Sequence, residues 1–136
     1  MKNKEPIFFL QDIQNSVEKI FKYTKDINYE EFISNDMIKD AVERNFEIIG
    51  EAVKNLPDDF RNKYPHIPFK QIAGMRDKLI HDYFGVDYEI VWKTIKDKLP
   101  QFSNEIYKLT TILRKSDRVF WEKLKIFKFS LQIFIL

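Results

Sequence analysis

Arg76 and His81, in the stretch Arg76-Asp77-Lys78-Leu79-Ile80-His81-Asp82-Tyr83, are the residues whose types could do chemistry together. Histidine titrates near neutrality and can take or give a proton. Arginine stays charged and donates through a planar fork that matches a phosphate. Breaking an RNA backbone without a metal needs three things. A base must take the 2′-hydroxyl proton, an acid must protonate the departing 5′-oxygen, and a cation must stabilise the phosphorane between them. One chain offers a single such histidine here. A symmetric dimer would offer two, which could divide the acid and base roles.

The spacing sets limits on that chemistry. On a helix, about 100° per residue places Arg76 and His81 about 140° apart, so they are not a tight pair on one face. Near a helix end both can line one cleft, especially if a second copy closes it. Tyr83, seven residues after Arg76, returns to the arginine's side. Asp77, four before His81, is within reach of a ring N–H. Taken alone, an arginine five residues before a histidine is what many solvated helix faces show.

The elements that must position these residues read as helices. Leu10, Ile13, Val17, Ile20, Phe21 and Thr24 recur at three- and four-residue steps, predicting a helix from Pro6 to about Lys25. Tyr29 to Phe32 reads as a short helical turn. Asn35 or Asp36 can cap a second helix running to about Asn55, striped by Ile38, Ala41, Val42, Asn45, Ile49, Ala52, Val53 and Leu56 and stopped by Pro57. Residues 57–68 carry three prolines and read as a connection. A third helix runs from Pro68 to about Tyr83, with Gly85 as a left-handed cap. Asp87 caps a fourth, whose series Val91, Ile95, Leu99, Phe102, Ile106, Leu109, Leu113 is heptad-like. Pro100 should kink that helix or break it near Lys98 to Leu99.

These elements predict an all-α chain, a four- to five-helix up-and-down bundle over residues 1–113. Residues 114–136 form an apolar C-terminal tail. Within it Phe127, Phe129, Leu131 and Ile133 alternate with polar residues, a period-two pattern that favours strand or disorder over helix. Glu122, Lys123, Lys125 and Lys128 interrupt the tail, and a spanning helix needs about 20 mostly apolar residues, so no membrane is expected as a partner. The four apolar residues after Pro6 are too few for a signal-peptide core.

The sequence contains no cysteine, which excludes disulfides, thiol nucleophiles and cysteine-ligated zinc, and suits a reducing cytoplasm. Neither histidine has a second ligand at a recognised spacing, so no metal or cofactor site is expected. A net charge of +2 does not advertise nucleic acid, so any RNA contact must come from local clustering. His66, between two prolines, reads as structural. Glu47 and Glu51, one turn apart, could pair with Arg44 or Lys54 or face a cleft, with pairing the favoured reading. Trp92 and the phenylalanines read as core or dimer interface rather than RNA-stacking platforms.

The setting of the motif is more specific than the motif. The stretches Ala41 through Ala52 (AVERNFEIIGEA), Tyr64 through Phe69 (YPHIPF), Gly74 through Asp87, and Ile90 through Pro100 resemble the HepT family in order, over about residues 6–113. HepT proteins are toxins of the HEPN ribonuclease superfamily, found in MNT/HEPN toxin–antitoxin systems. The resemblance implies a HEPN-fold homodimer whose two arginine–histidine motifs meet in a cleft. It implies a metal-independent endoribonuclease toxin attacking through the 2′-hydroxyl, with Arg76 and His81 catalytic and Asp77 the supporting polar residue. It also implies an MNT-type nucleotidyltransferase antitoxin that uses ATP to place AMP on Tyr83. A bulky anion beside Arg76 would occupy the phosphate site and repel RNA. The alternative is a non-catalytic HEPN-fold subunit that docks such a nucleotidyltransferase. The tail from Arg114 onwards has no counterpart in the family.

Overall fold

The helices begin where the sequence can satisfy or dispense with free N–H groups. Pro6, with no N–H of its own, opens α1 (Pro6–Thr24). A capping box opens α2 (Tyr29–Ser34). The Glu31 amide donates to Asn28 Oδ1 at 2.8 Å, and the Asn28 amide donates to Glu31 Oε1 at 3.3 Å. Asn35 Oδ1 accepts from the Ile38 amide at 3.0 Å to start α3 (Asp36–Asn55), which ends before Pro57. Next come α4 (Asp58–Asn62) and α5 (Phe69–His81). Asp87 Oδ1 caps α6 (Tyr88–Lys93) through the Glu89 and Ile90 amides, and α7 (Leu99–Ile135) is the last element described. The computed structural model describes residues 5–81 and 85–135, with the side chains of Ile80 and His81 outside the described set.

The all-α bundle expected from the sequence is the fold found, with no strand among the described residues. Leu10, Ile13, Val17 and Ile20 of α1 are wholly buried, as are Val42, Phe46, Ile49 and Val53 of α3. α1 and α5 both pack on α3, and α7 packs on α1. Ile72 and Met75 bring α5 into the same core, and Leu99, Phe102 and Ile106 bring α7. Burying side chains of this size contributes roughly 1.5–3 kcal/mol each, which outweighs weak local propensity. Buried Thr24 and Thr110 donate their hydroxyls to the Ile20 and Ile106 carbonyls, both at 2.8 Å, so neither is left unpaired.

Two expectations are corrected, and a third takes a specific form. The three-proline connection is not featureless, because Asp58–Asn62 makes the short helix α4, with two acids in its first turn and Arg61 in its last. The interruption expected at Pro100, near Lys98 to Leu99, is found, and it takes the form of a π turn between α6 and α7. Thr94–Lys98 forms this turn ahead of the proline, and in it the Leu99 amide donates five residues back to the Thr94 carbonyl. Widening the turn accommodates a ring that would otherwise crowd the carbonyl four residues back. The tail is neither strand nor irregular, since α7 continues through it to Ile135. Its alternation coexists with a second series, Phe120, Leu124, Phe127, Leu131 and Phe134, which steps by four and three. That series extends a helix already nucleated in the bundle, so no new nucleus is required. Among the described residues, no helix is long and apolar enough to cross a membrane.

Candidate active site

Arg76 is aimed by its neighbours in the chain. Ile72 and Met75 are buried, which fixes the rotation of α5 and leaves Arg76 at the seam with α3, its side chain 27% exposed. On α3 the residue opposite is Gly50. A Cβ added there would stand 2.6 Å from Arg76 Cβ and 2.7 Å from Cδ, so only glycine admits the arginine stem. The guanidinium then reaches Glu51, with Nη2 to Oε2 at 3.4 Å, and lies 3.9 Å from an Asp77 oxygen through Nη1. Glu51 and Asp77 are well exposed, and such pairs are worth about 0–1 kcal/mol. They orient the arginine without holding it, so an incoming phosphate, which the guanidinium can grip with two parallel bonds, can displace them.

Two clefts flank this part of α5. One, of about 340 Å³, contains Arg76 and lies between α3, α4 and α5, with Lys54, Arg61 and Lys70 on its walls. The other, of about 410 Å³, opens on the α6 side and is lined by Met75, Leu79, Val86 and Ile90 together with Asp77 and Lys78. Asp77 lines both. His81 is the last residue of α5, about 7.5 Å further along the axis than Arg76 by helical rise. Its side chain, like the whole of Tyr83, lies outside the described residues. Gly85, expected to cap the helix, has φ +111°, a conformation that favours glycine.

The other singled-out residues resolve cleanly. His66 pairs with Glu105, Nε2 to Oε2 at 3.3 Å, in keeping with its structural reading. Glu47 pairs with Arg44 at 3.4 Å, as favoured, but Glu51 turns to Arg76 and belongs to the site. Trp92 stacks against Phe32, ring centroids 5.0 Å apart, and is packing rather than a platform. Sequence reasoning passed over Gly50 as a working residue. The available signal was its place inside a helix, where glycine costs about 1 kcal/mol against alanine and calls for a packing reason. Among the described residues, no group of three or more His, Asp or Glu is placed to hold a metal ion.

The chain belongs to the ribonuclease HepT-like family, whose pattern matches residues 13–109. It is 58% identical, over 74% of its length and 87% of the relative's, to a provisionally named RNase of Methanocaldococcus jannaschii. A second such protein of that organism is 54% identical over 80% of this chain and 90% of its own. A provisionally named ribonuclease HepT of Thermococcus cleftensis is 46% identical over 74% of this chain and 92% of its own. No solved structure matches the chain at the same stringency.

Proposed function

We propose that this chain is a metal-independent endoribonuclease, the toxin of a toxin–antitoxin pair, in which Arg76 and His81 are catalytic. The carrying observation is Arg76 itself, a guanidinium admitted to a cleft by Gly50 and oriented by Glu51 in a chain of a ribonuclease family. RNA binds with its scissile phosphate on Arg76. The 2′-oxygen attacks phosphorus as its proton passes to a histidine, and the bond to the 5′-oxygen breaks as that oxygen takes a proton. The products are a 2′,3′-cyclic phosphate and a free 5′-hydroxyl. Two protomers, each contributing Arg76 and His81, supply a base and an acid, and Asp77 steadies the motif.

Control falls to Tyr83. A nucleotidyltransferase partner transfers AMP from ATP to the tyrosine oxygen, releasing pyrophosphate. The added phosphate competes with RNA for Arg76. The test is cleavage of a labelled RNA in excess chelator. The wild type is expected to cut, and Arg76→Ala and His81→Ala to lose about a hundredfold or more. Equal cleavage by all three proteins, or cleavage that stops with the chelator, would overturn the assignment. For the switch, intact mass after incubation with ATP and the partner should rise by whole AMP units in the wild type and not in Tyr83→Phe.

A further inference from the structure

The cleft that holds Arg76 does not end there. It shares Arg61 and Lys70 with a second, larger cleft of about 620 Å³, which runs along the segment joining α4 to α5 past Asn62, Tyr64 and His66. The cations of this groove come from three elements: Lys54 from α3, Arg61 from α4, and Lys70 and Arg76 from α5. The two arginines already face carboxylates, Arg76 with Glu51 and Arg61 with Asp58. Lys54 and Lys70 are exposed and have no ion-pair partner among the described residues. Arg61 Nε is buried without a hydrogen-bond partner, a donor still unsatisfied in the groove wall. Gly74 lies on the same wall, where a Cβ would meet nothing within 4 Å, so bare helix backbone faces the space. At the far end the rings of Tyr64 and His66 stand edge to face, centroids 6.5 Å apart.

We infer that this groove is a track for single-stranded RNA, with Lys54, Arg61 and Lys70 binding phosphates next to the one on Arg76, and Tyr64 offering a base a stacking face. A basic groove that follows the backbone, combined with aromatic faces at intervals, is how single strands are held without reading sequence. A net charge of only +2 leaves any RNA contact to local clustering, and four cations from three elements line this one groove. Asp58 and Glu51 orient the arginines between substrates and give way to phosphates. The inference rests on the ribonuclease reading, but its test does not need cleavage.

A fluorescent 2′-O-methyl RNA of about a dozen nucleotides cannot be cut and reports binding alone. Its affinity for the full chain is measured by anisotropy at several salt concentrations. In Lys54→Gln/Lys70→Gln, affinity is expected to fall tenfold or more. The slope of log affinity against log salt should shrink by about 1.4, at about 0.7 per phosphate contact on a single strand. Tyr64→Leu, which keeps an apolar side chain against Phe60, should weaken binding about tenfold with the slope unchanged. Lys19→Gln/Lys22→Gln, on the exposed side of α1, should bind as the wild type does. Wild-type affinity and slope in the Lys54/Lys70 variant would overturn the track, as would an equal loss in the Lys19/Lys22 control or no binding by the wild type. A wild type that binds this oligomer but cuts no RNA would instead remove the nuclease reading and leave the track standing.

Discussion

At Gly50 the absence of a side chain lets α5 lie close enough for Arg76 to cross α3 and meet Glu51. The nearest clash with an added methyl group is Arg76 Cβ, which is fixed to the backbone and cannot swing away. Gly50→Ala must therefore push the two helices apart. We expect a loss of about 1–3 kcal/mol in unfolding free energy and a fall of tenfold or more in RNA cleavage, larger than the stability loss alone explains. Urea unfolding and single-turnover cleavage would check it, and full activity with unchanged stability would contradict it. Arg76 and His81 could be singled out as candidates from the sequence because their chemistry is intrinsic to their side chains, and the structure sets Arg76 in a cleft. Gly50 could not, and Glu51 only as the less favoured reading that it faces a cleft, because their placement comes from a contact between two helices, and no local period encodes which neighbour a glycine faces.

Among the elements, α6 is short; it buries Val91 and is tied to its neighbours by Tyr88, whose hydroxyl donates to Glu43 on α3 while its ring packs edge-on against Phe32. Burial first, then the hydrogen bond to Glu43 and its charge, push the Tyr88 pKa up from 10.0 to about 12. The folded value lies above the unfolded one, so this contribution is fully present below about pH 10 and is lost as pH rises through about 12. Wild-type stability should fall more steeply across that interval than that of Tyr88→Phe, which should start about 1 kcal/mol lower at neutral pH. Urea midpoints measured across the interval decide it, and parallel curves would refute the linkage. The long helices were readable from period and caps, since Asn35 and Asp87 cap where their types suggested. α4 was hidden because prolines dominate its surroundings. The helical tail was hidden because two apolar periods are superposed in it, and the strand-like one is the easier to see.

For the whole molecule, the bundle and the end of α7 stand in different relations to the core. After Leu113 no described residue is buried, and Phe120, Trp121, Phe127, Phe129 and Ile133 are exposed. We propose residues 1–113 as the folding unit, with 114–136 an appendage. The described part of that appendage spans 22 residues, 114–135, or about 33 Å at 1.5 Å per residue. Such a helix has only its own backbone bonds and side-chain pairs to hold it, whereas the bundle melts as a unit because its helices share one core. The consequence is thermal. Unfolding should not be two-state, because helicity will decline gradually as α7 frays over its exposed stretch, before the sharp transition of the bundle. Circular dichroism should show that early slope, and calorimetry should show little heat under it. A chain ending at Leu113 should lose the slope and keep the main transition within about 2–4 °C. A transition that moved with the truncation would mean that the exposed end of α7 belongs to the cooperative unit after all.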